Sequence, residues 1–97
     1  ASLVVGTHTH IPTNDARILY NGTGYQTDAG MCGDYDSVIG MNKENSIKRF
    51  LKENSSKHYP AIGEATLSGA IVDCDIKTGL ANHIESYIFG GQLKNTL

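Results

Sequence analysis

Two histidines one residue apart, His8 and His10, follow the apolar run Leu3-Val4-Val5 in the stretch Gly6-Thr7-His8-Thr9-His10. Neutral imidazole is the commonest protein ligand for transition metals. Side chains at i and i+2 of an extended segment face the same way, and a loop at a strand end lets a rigid sheet hold ligands without covering them. The pattern points to a metal centre at the end of a sheet. A His-x-His pair also occurs as ordinary loop residues, and two imidazoles are not a complete coordination set. The other titratable residues add little. His58 before Pro60 and His83 near the end of the chain read as solvated or partly packed, and Tyr25, Tyr35 and Tyr59 as core or rim residues rather than base-stacking platforms.

The elements that must position these residues are few. The 97 residues suffice for one small domain. Leu3-Val4-Val5, within residues 2–6, reads as a buried and parallel strand, which needs neighbours and cover. The chain is therefore expected to be the C-terminal piece of a longer polypeptide. Residues 7–15 form a loop. Strands over 16–20 and 23–28 flank Asn21-Gly22, a pair that favours the type I′ hairpin turn because both central residues need positive φ. Residues 29–42, with Gly30, Gly33 and Gly40, form a long loop with one helical turn near Ser37-Val38-Ile39. Asn42 caps a helix over 43–53 with an apolar stripe of Ile47, Phe50 and Leu51, ended by Asn54-Ser55-Ser56 and Pro60. A long strand over 64–76 places Ala70, Val72, Cys74 and Ile76 on one face. Lys77-Thr78-Gly79 turns it into a last strand over 81–89, and the tail from Gly90 frays. Asp73 and Asp75 face solvent or cap that turn.

Composition excludes several classes. The formal charge is −2, with acids and bases interspersed, so there is no dedicated nucleic-acid surface, which would need a basic patch. Apolar runs of three or four residues fall far short of the ~20 that cross a bilayer. Cys32 and Cys74 fit free thiols in a reducing compartment better than a disulfide framework, and their spacing does not match a zinc knuckle. A cytoplasmic location is expected.

Val5-Gly6-Thr7-His8-Thr9-His10-Ile11-Pro12-Thr13 followed by Asp15-Ala16-Arg17-Ile18-Leu19 resembles the YmdB-like branch of the calcineurin-type metallophosphoesterases. So do Thr27-Asp28-Ala29-Gly30-Met31, Tyr35-Asp36-Ser37-Val38-Ile39-Gly40-Met41, and the closing hairpin around Val72-Asp73-Cys74-Asp75 and Thr78-Gly79. The likeness runs from about residue 3 to residue 89, with the motifs in the family's order. It implies an α/β fold, α+β by this chain alone: the C-terminal portion of a β-sandwich flanked by helices, made mostly of strands and hairpins with one clear helix. Residues 1–97 would form the C-terminal part of a single metallophosphoesterase domain whose N-terminal part lies outside the chain.

The resemblance also implies the chemistry. His8 would bind one metal and His10 the other, in a dinuclear centre whose remaining ligands come from upstream motifs that this sequence does not contain. Asp15, Asp28, Asp34 and Asp36 match segments of the family that do not ligate metal, and Cys32 stands where a small hydroxylic residue is expected. Two divalent ions, iron or manganese ahead of zinc or magnesium, would clamp a phosphodiester and activate a water. The implied substrate is a small phosphodiester, a cyclic nucleotide such as a 2′,3′-cyclic species. Thr7 and Thr9 are candidates for hydrogen bonds to the phosphate or for orienting the loop. The isolated chain is expected to be inactive. The competing reading is a non-catalytic half-domain, a binding or assembly module that docks through the Leu3-Val4-Val5 strand onto a partner or into a homo-oligomer.

Overall fold

Residues 1–54 and 56–96 are described by the computed structural model; Ser55, which the sequence places in the stretch ending the helix, and Leu97 lie outside the described residues. Six elements occur in the order β1 (Leu3–Val5), β2 (Arg17–Ile18), β3 (Gly24–Gln26), α1 (Lys43–Phe50), β4 (Leu67–Cys74) and β5 (Ala81–Phe89). Its regular elements are strands but for one helix, an α+β arrangement.

The first three strands form a sheet in the order β1-β3-β2. β1 runs parallel to β3, with Leu3, Val4 and Val5 opposite Gly24, Tyr25 and Gln26. The expected parallel strand is present, but Val4 and Val5 are exposed because β1 stands at the sheet edge with β3 as its one partner among the described residues. β2 pairs antiparallel with β3. Their connection is not the expected two-residue type I′ turn. Gly22 N donates to Leu19 O at 2.9 Å and Leu19 N to Thr23 O at 2.7 Å, and Gly22 has positive φ while Asn21 does not. This is a three-residue loop with glycine in the left-handed position, the hairpin built on a type I turn and a bulge. The loop takes Leu19 and Thr23 out of the strands.

β4 and β5 form an antiparallel pair, Leu67 to Phe89 through Asp73 to His83, with an irregularity between Asp73 and Cys74. The even-numbered face of β4 turns inward, with Ser68 buried and Ala70 and Val72 half-buried. Cys74 and Ile76 leave that face: the strand ends at Cys74, and Ile76 is fully exposed in the turn. There the Asp75 carboxylate accepts from Lys77 N at 2.8 Å and Thr78 N at 3.0 Å, which lowers its pKa. The tail does not fray as expected. Thr96 N donates to Ile88 O at 3.0 Å, and Gly90 N donates to Asn95 Oδ1 at 2.7 Å.

The two sheets meet at Gly24 of β3. A Cβ there would lie 3.3 Å from Val72, 3.4 Å from Ile84 and 3.5 Å from Ala81, and Ala81 and Ile84 are the buried apolar side chains among the described residues. Hydrogen bonds complete the join. Ala81 N donates to Gly22 O at 2.7 Å, Ser68 Oγ donates to Ala29 O at 2.5 Å, and Gly33 and Thr66 exchange backbone bonds at 3.0 and 2.7 Å.

α1 begins where expected, with Asn42 Oδ1 accepting from Asn45 N at 2.9 Å. It ends three residues earlier than the periodicity suggests. Lys52 takes φ 58°, Lys52 N donates to Arg49 O at 3.2 Å and Glu53 N to Lys48 O at 2.8 Å, the paired bonds of a Schellman motif. Nor is there a helical turn at 37–39. Val38 and Met41 exchange backbone hydrogen bonds at 2.9 Å each, with Ile39 at φ 46° and Gly40 at φ 94°. The type I′ turn lies here.

Gly24→Val would force methyl groups into the junction between the sheets. Its expected cost is about 1–3 kcal/mol, read as a lower urea midpoint with an unchanged m-value; a midpoint equal to wild type would show that the sheets do not meet at Gly24.

Candidate functional site

The loop that leaves β1 carries Thr7, His8 and Thr9 exposed and His10 half-buried. Its course is set from below by Asp28, which has no solvent exposure. One carboxylate oxygen of Asp28 accepts from Thr9 N at 2.5 Å and from Thr9 Oγ1 at 2.8 Å; the other accepts from Gly30 N at 2.8 Å. Thr9 Oγ1 in turn accepts from Ile11 N at 3.2 Å. Thr9, between the two histidines, is therefore committed to the protein and orients the loop. Thr7, exposed beside His8, is the one of the two threonines weighed as phosphate contacts that is not tied to Asp28.

The loop is fixed on both flanks. Ala29 N donates to Gly6 O at 2.9 Å, Thr13 N to Asp28 O at 3.0 Å and Met31 N to His10 O at 3.2 Å. The buried Gln26 amide donates to Thr13 O at 3.1 Å and Asp28 O at 2.9 Å. Asp15 accepts from Thr13 Oγ1 at 2.6 Å and Thr27 N at 3.1 Å. Hydrogen bonds from Thr13 and Thr27 hold its carboxyl far below the usual carboxylate range. Burial pushes the Asp28 carboxyl up, but the bonds from Gly30 and Thr9 outweigh it, and its pKa lies below the ordinary value.

His10 has φ 68°, and its Nδ1 lies 3.0 Å from Ile39 O. A carbonyl oxygen only accepts, so Nδ1 is the protonated nitrogen and the neutral ring keeps its lone pair on Nε2. Metal-ligating histidines are held in this way, with the second nitrogen donating to a carbonyl or carboxylate. The donor set therefore suits a metal. Among the described residues no three His, Cys, Asp or Glu side chains converge as a metal site.

The remaining candidates have structural partners. Asp34 is buried and accepts from Asp36 N at 2.8 Å and Gly63 N at 2.9 Å. Asp36 pairs with Lys43 at 2.8 Å, and this raises the Lys43 pKa. Tyr35 OH bonds Met31 N and O, both at 2.8 Å, and Arg17 stacks over Tyr25 at 4.9 Å. Cys32 Sγ lies 3.4 Å from Ser68 O, and both cysteines are free. His83, exposed on β5, lies 3.9 Å from Glu85. His58 lines an apolar groove with Val38, Ile39, Met41, Ile47 and Phe50. No helix among the described residues is long and apolar enough to cross a membrane.

The sequence reading missed the two groups that aim the loop. The signal for Asp28 was present, since Asp28-x-Gly30 can close an Asx turn onto the amide two residues on. The Ile39 carbonyl is a backbone group and leaves no trace in residue type.

Known proteins resemble this chain over most of its length. A family model described as YmdB-like protein matches residues 1–87. A 2′,3′-cyclic-nucleotide 2′-phosphodiesterase of Bacillus subtilis (strain 168) is 51% identical over 85 residues, which are 88% of this chain and 32% of that protein. Two crystal structures superpose. One is a hypothetical protein from Thermus thermophilus, with TM-score 0.81 and 39% identity over 95% of this chain and 36% of its own. The other is a novel phosphatase from Mycoplasma pneumoniae, with TM-score 0.82 and 36% identity over 92% and 32%. The chain thus spans about a third of the length of these relatives.

A carboxyl whose folded pKa is depressed stabilises the fold above its unfolded value and loses that contribution as pH falls through the folded value. For Asp28 the loss begins below about 3.8. Asp28→Asn should lower stability at neutral pH and flatten the acid limb of a Tm–pH profile; an acid limb as steep as wild type would remove Asp28 from this role.

Proposed function

Because this chain belongs to the YmdB-like protein family, we propose that it supplies His8 and His10 as ligands of a dinuclear metal centre in a metal-dependent phosphodiesterase that hydrolyses cyclic nucleotides. The observation that carries the reading is His10 with Nδ1 on a backbone carbonyl and Nε2 left as the donor. The names of the Bacillus and Mycoplasma relatives, a phosphodiesterase and a phosphatase, support phosphoester hydrolysis.

In this reading residues 1–97 are the C-terminal part of one domain, a β-sandwich flanked by helices, and the other ligands stand on the N-terminal part that completes it. His8 and His10 would help hold two divalent ions there, iron or manganese ahead of zinc or magnesium, which would supply Lewis-acid polarisation of the phosphate and lower the pKa of a water. This chain's residues do the holding. His8 and His10 bind metal and are not nucleophiles. Thr9, locked to Asp28, holds the backbone from which both side chains leave. The Thr7 hydroxyl donates to a phosphate oxygen. The enzyme works in the cytoplasm.

The second reading, an assembly module, draws on the exposed edge strand β1 with Val4 and Val5 uncovered. Metal stoichiometry separates the two: two ions per assembled unit for the enzyme, none for the module.

In the full-length protein, His8→Ala and His10→Ala should each remove most phosphodiesterase activity and weaken metal binding by more than the about 10–100-fold typical of an outer-shell partner, with the fold intact by circular dichroism. Turnover near wild type at limiting metal in either variant would overturn the ligand assignment. The 97-residue chain alone should hydrolyse 2′,3′-cyclic nucleotides poorly, because it brings two ligands; robust turnover by the purified chain would show that other residues complete the site.

A further inference from the structure

The hydrogen bond between His10 and Ile39 joins two residues that both have unusual backbone conformations. His10 stands at φ 68° and Ile39 at φ 46°. For a β-branched residue a positive φ is an outlier, and such strain persists only where the surroundings over-determine it.

At Ile39 the surroundings do so. The turn is closed by reciprocal bonds between Val38 and Met41. Gly40 N donates to Ser37 Oγ at 2.9 Å, and Ser37 Oγ donates to Asp34 O at 2.5 Å. Ala61 N donates to Gly40 O at 2.8 Å, and Met41 bridges to Pro60. With both ends tied, the Ile39 carbonyl has one direction, and the His10 ring lies in it.

We propose that Ile39 is a positioning residue for His10. The tight turn holds a main-chain carbonyl that fixes the tautomer and ring plane of His10, so that Nε2 is the nitrogen offered to a metal. This inference rests on the reading of His10 as a ligand. It assigns to the 38–41 turn a task that its side chains do not reveal, because the acting group is the backbone.

The test uses the full-length protein, labelled with ¹⁵N-histidine and stripped of metal, together with Mn²⁺ as the probe. Two-bond ¹H–¹⁵N correlation should show His10 protonated at Nδ1; an Nε2-protonated His10 in the wild type would overturn the proposal. Ile39→Pro fixes φ near about −65°, which the turn cannot accept. It should scramble the tautomer and weaken Mn²⁺ binding by about 10–100-fold. Ile39→Asn, a residue that tolerates the left-handed region, should keep both as in wild type. A folded Ile39→Pro with wild-type affinity and tautomer overturns the proposal, and so does loss of both in Ile39→Asn. Should Ile39→Pro fail to fold, the wild-type tautomer and the Ile39→Asn affinity decide. A wild type that binds no Mn²⁺ while His10 stays protonated at Nδ1 would fail the metal reading and leave the Ile39 contact standing.

Discussion

A carboxylate sealed from solvent sits under the histidine loop, and the geometry of the loop depends on it. Asp28 spends both oxygens on backbone amides and one hydroxyl, on two sides of the same turn. A buried ion is costly unless its hydrogen bonds are complete, and completing them here requires Thr9 and Gly30 to stand where they do. The charge therefore acts as a template. Because Thr9 lies between His8 and His10 in the chain, the template also holds the backbone from which both side chains leave.

The same economy extends through the interior. Ala81 and Ile84 are the buried apolar side chains among the described residues, whereas Gln26, Asp28, Asp34, Asn45, Thr66 and Ser68 are buried and polar. Directional bonds hold what a larger core would hold by contact. Ser68 reaches from β4 to Ala29, Thr66 Oγ1 donates to Gly90 O, and the Gln26 amide spans the strand end to Thr13. Such bonds add modest net stability but strongly penalise a misplaced partner. They specify the path of the site-bearing loops more sharply than apolar packing would.

Local chemistry explains which parts of this architecture could be read in advance. The β4–β5 hairpin, the cap at Asn42 and the parallel pairing of β1 followed from alternation, a capping residue and an apolar run. The turns did not follow so simply. Asn21-Gly22 has the composition of a type I′ turn, yet the strands close one residue wider. Ile39-Gly40 forms that turn although isoleucine disfavours it, since tertiary bonds to Ala61 and Ser37 override local preference. In the histidine loop the two imidazoles were legible because they are side chains. Their supports were not, because one support is a backbone carbonyl and the other an aspartate whose role depends on burial.

α1 has a different footing from the sheets. Ile47, Phe50 and Leu51 are exposed along it, and it makes little contact with either sheet. What fixes it is polar: the Asn42 cap, the Schellman turn, and Asn45, whose side chain bonds the backbone of Ser56 and Lys57. A short helix held this way forms a unit of low local free energy. Amide protons in α1 are accordingly expected to exchange faster than those of the β4–β5 ladder. The helix and its Asn42 cap follow directly on Met41, the residue that closes the Ile39-Gly40 turn. The imidazole of His10 is thus tethered to the turn that leads into the part of the chain least packed against the sheets.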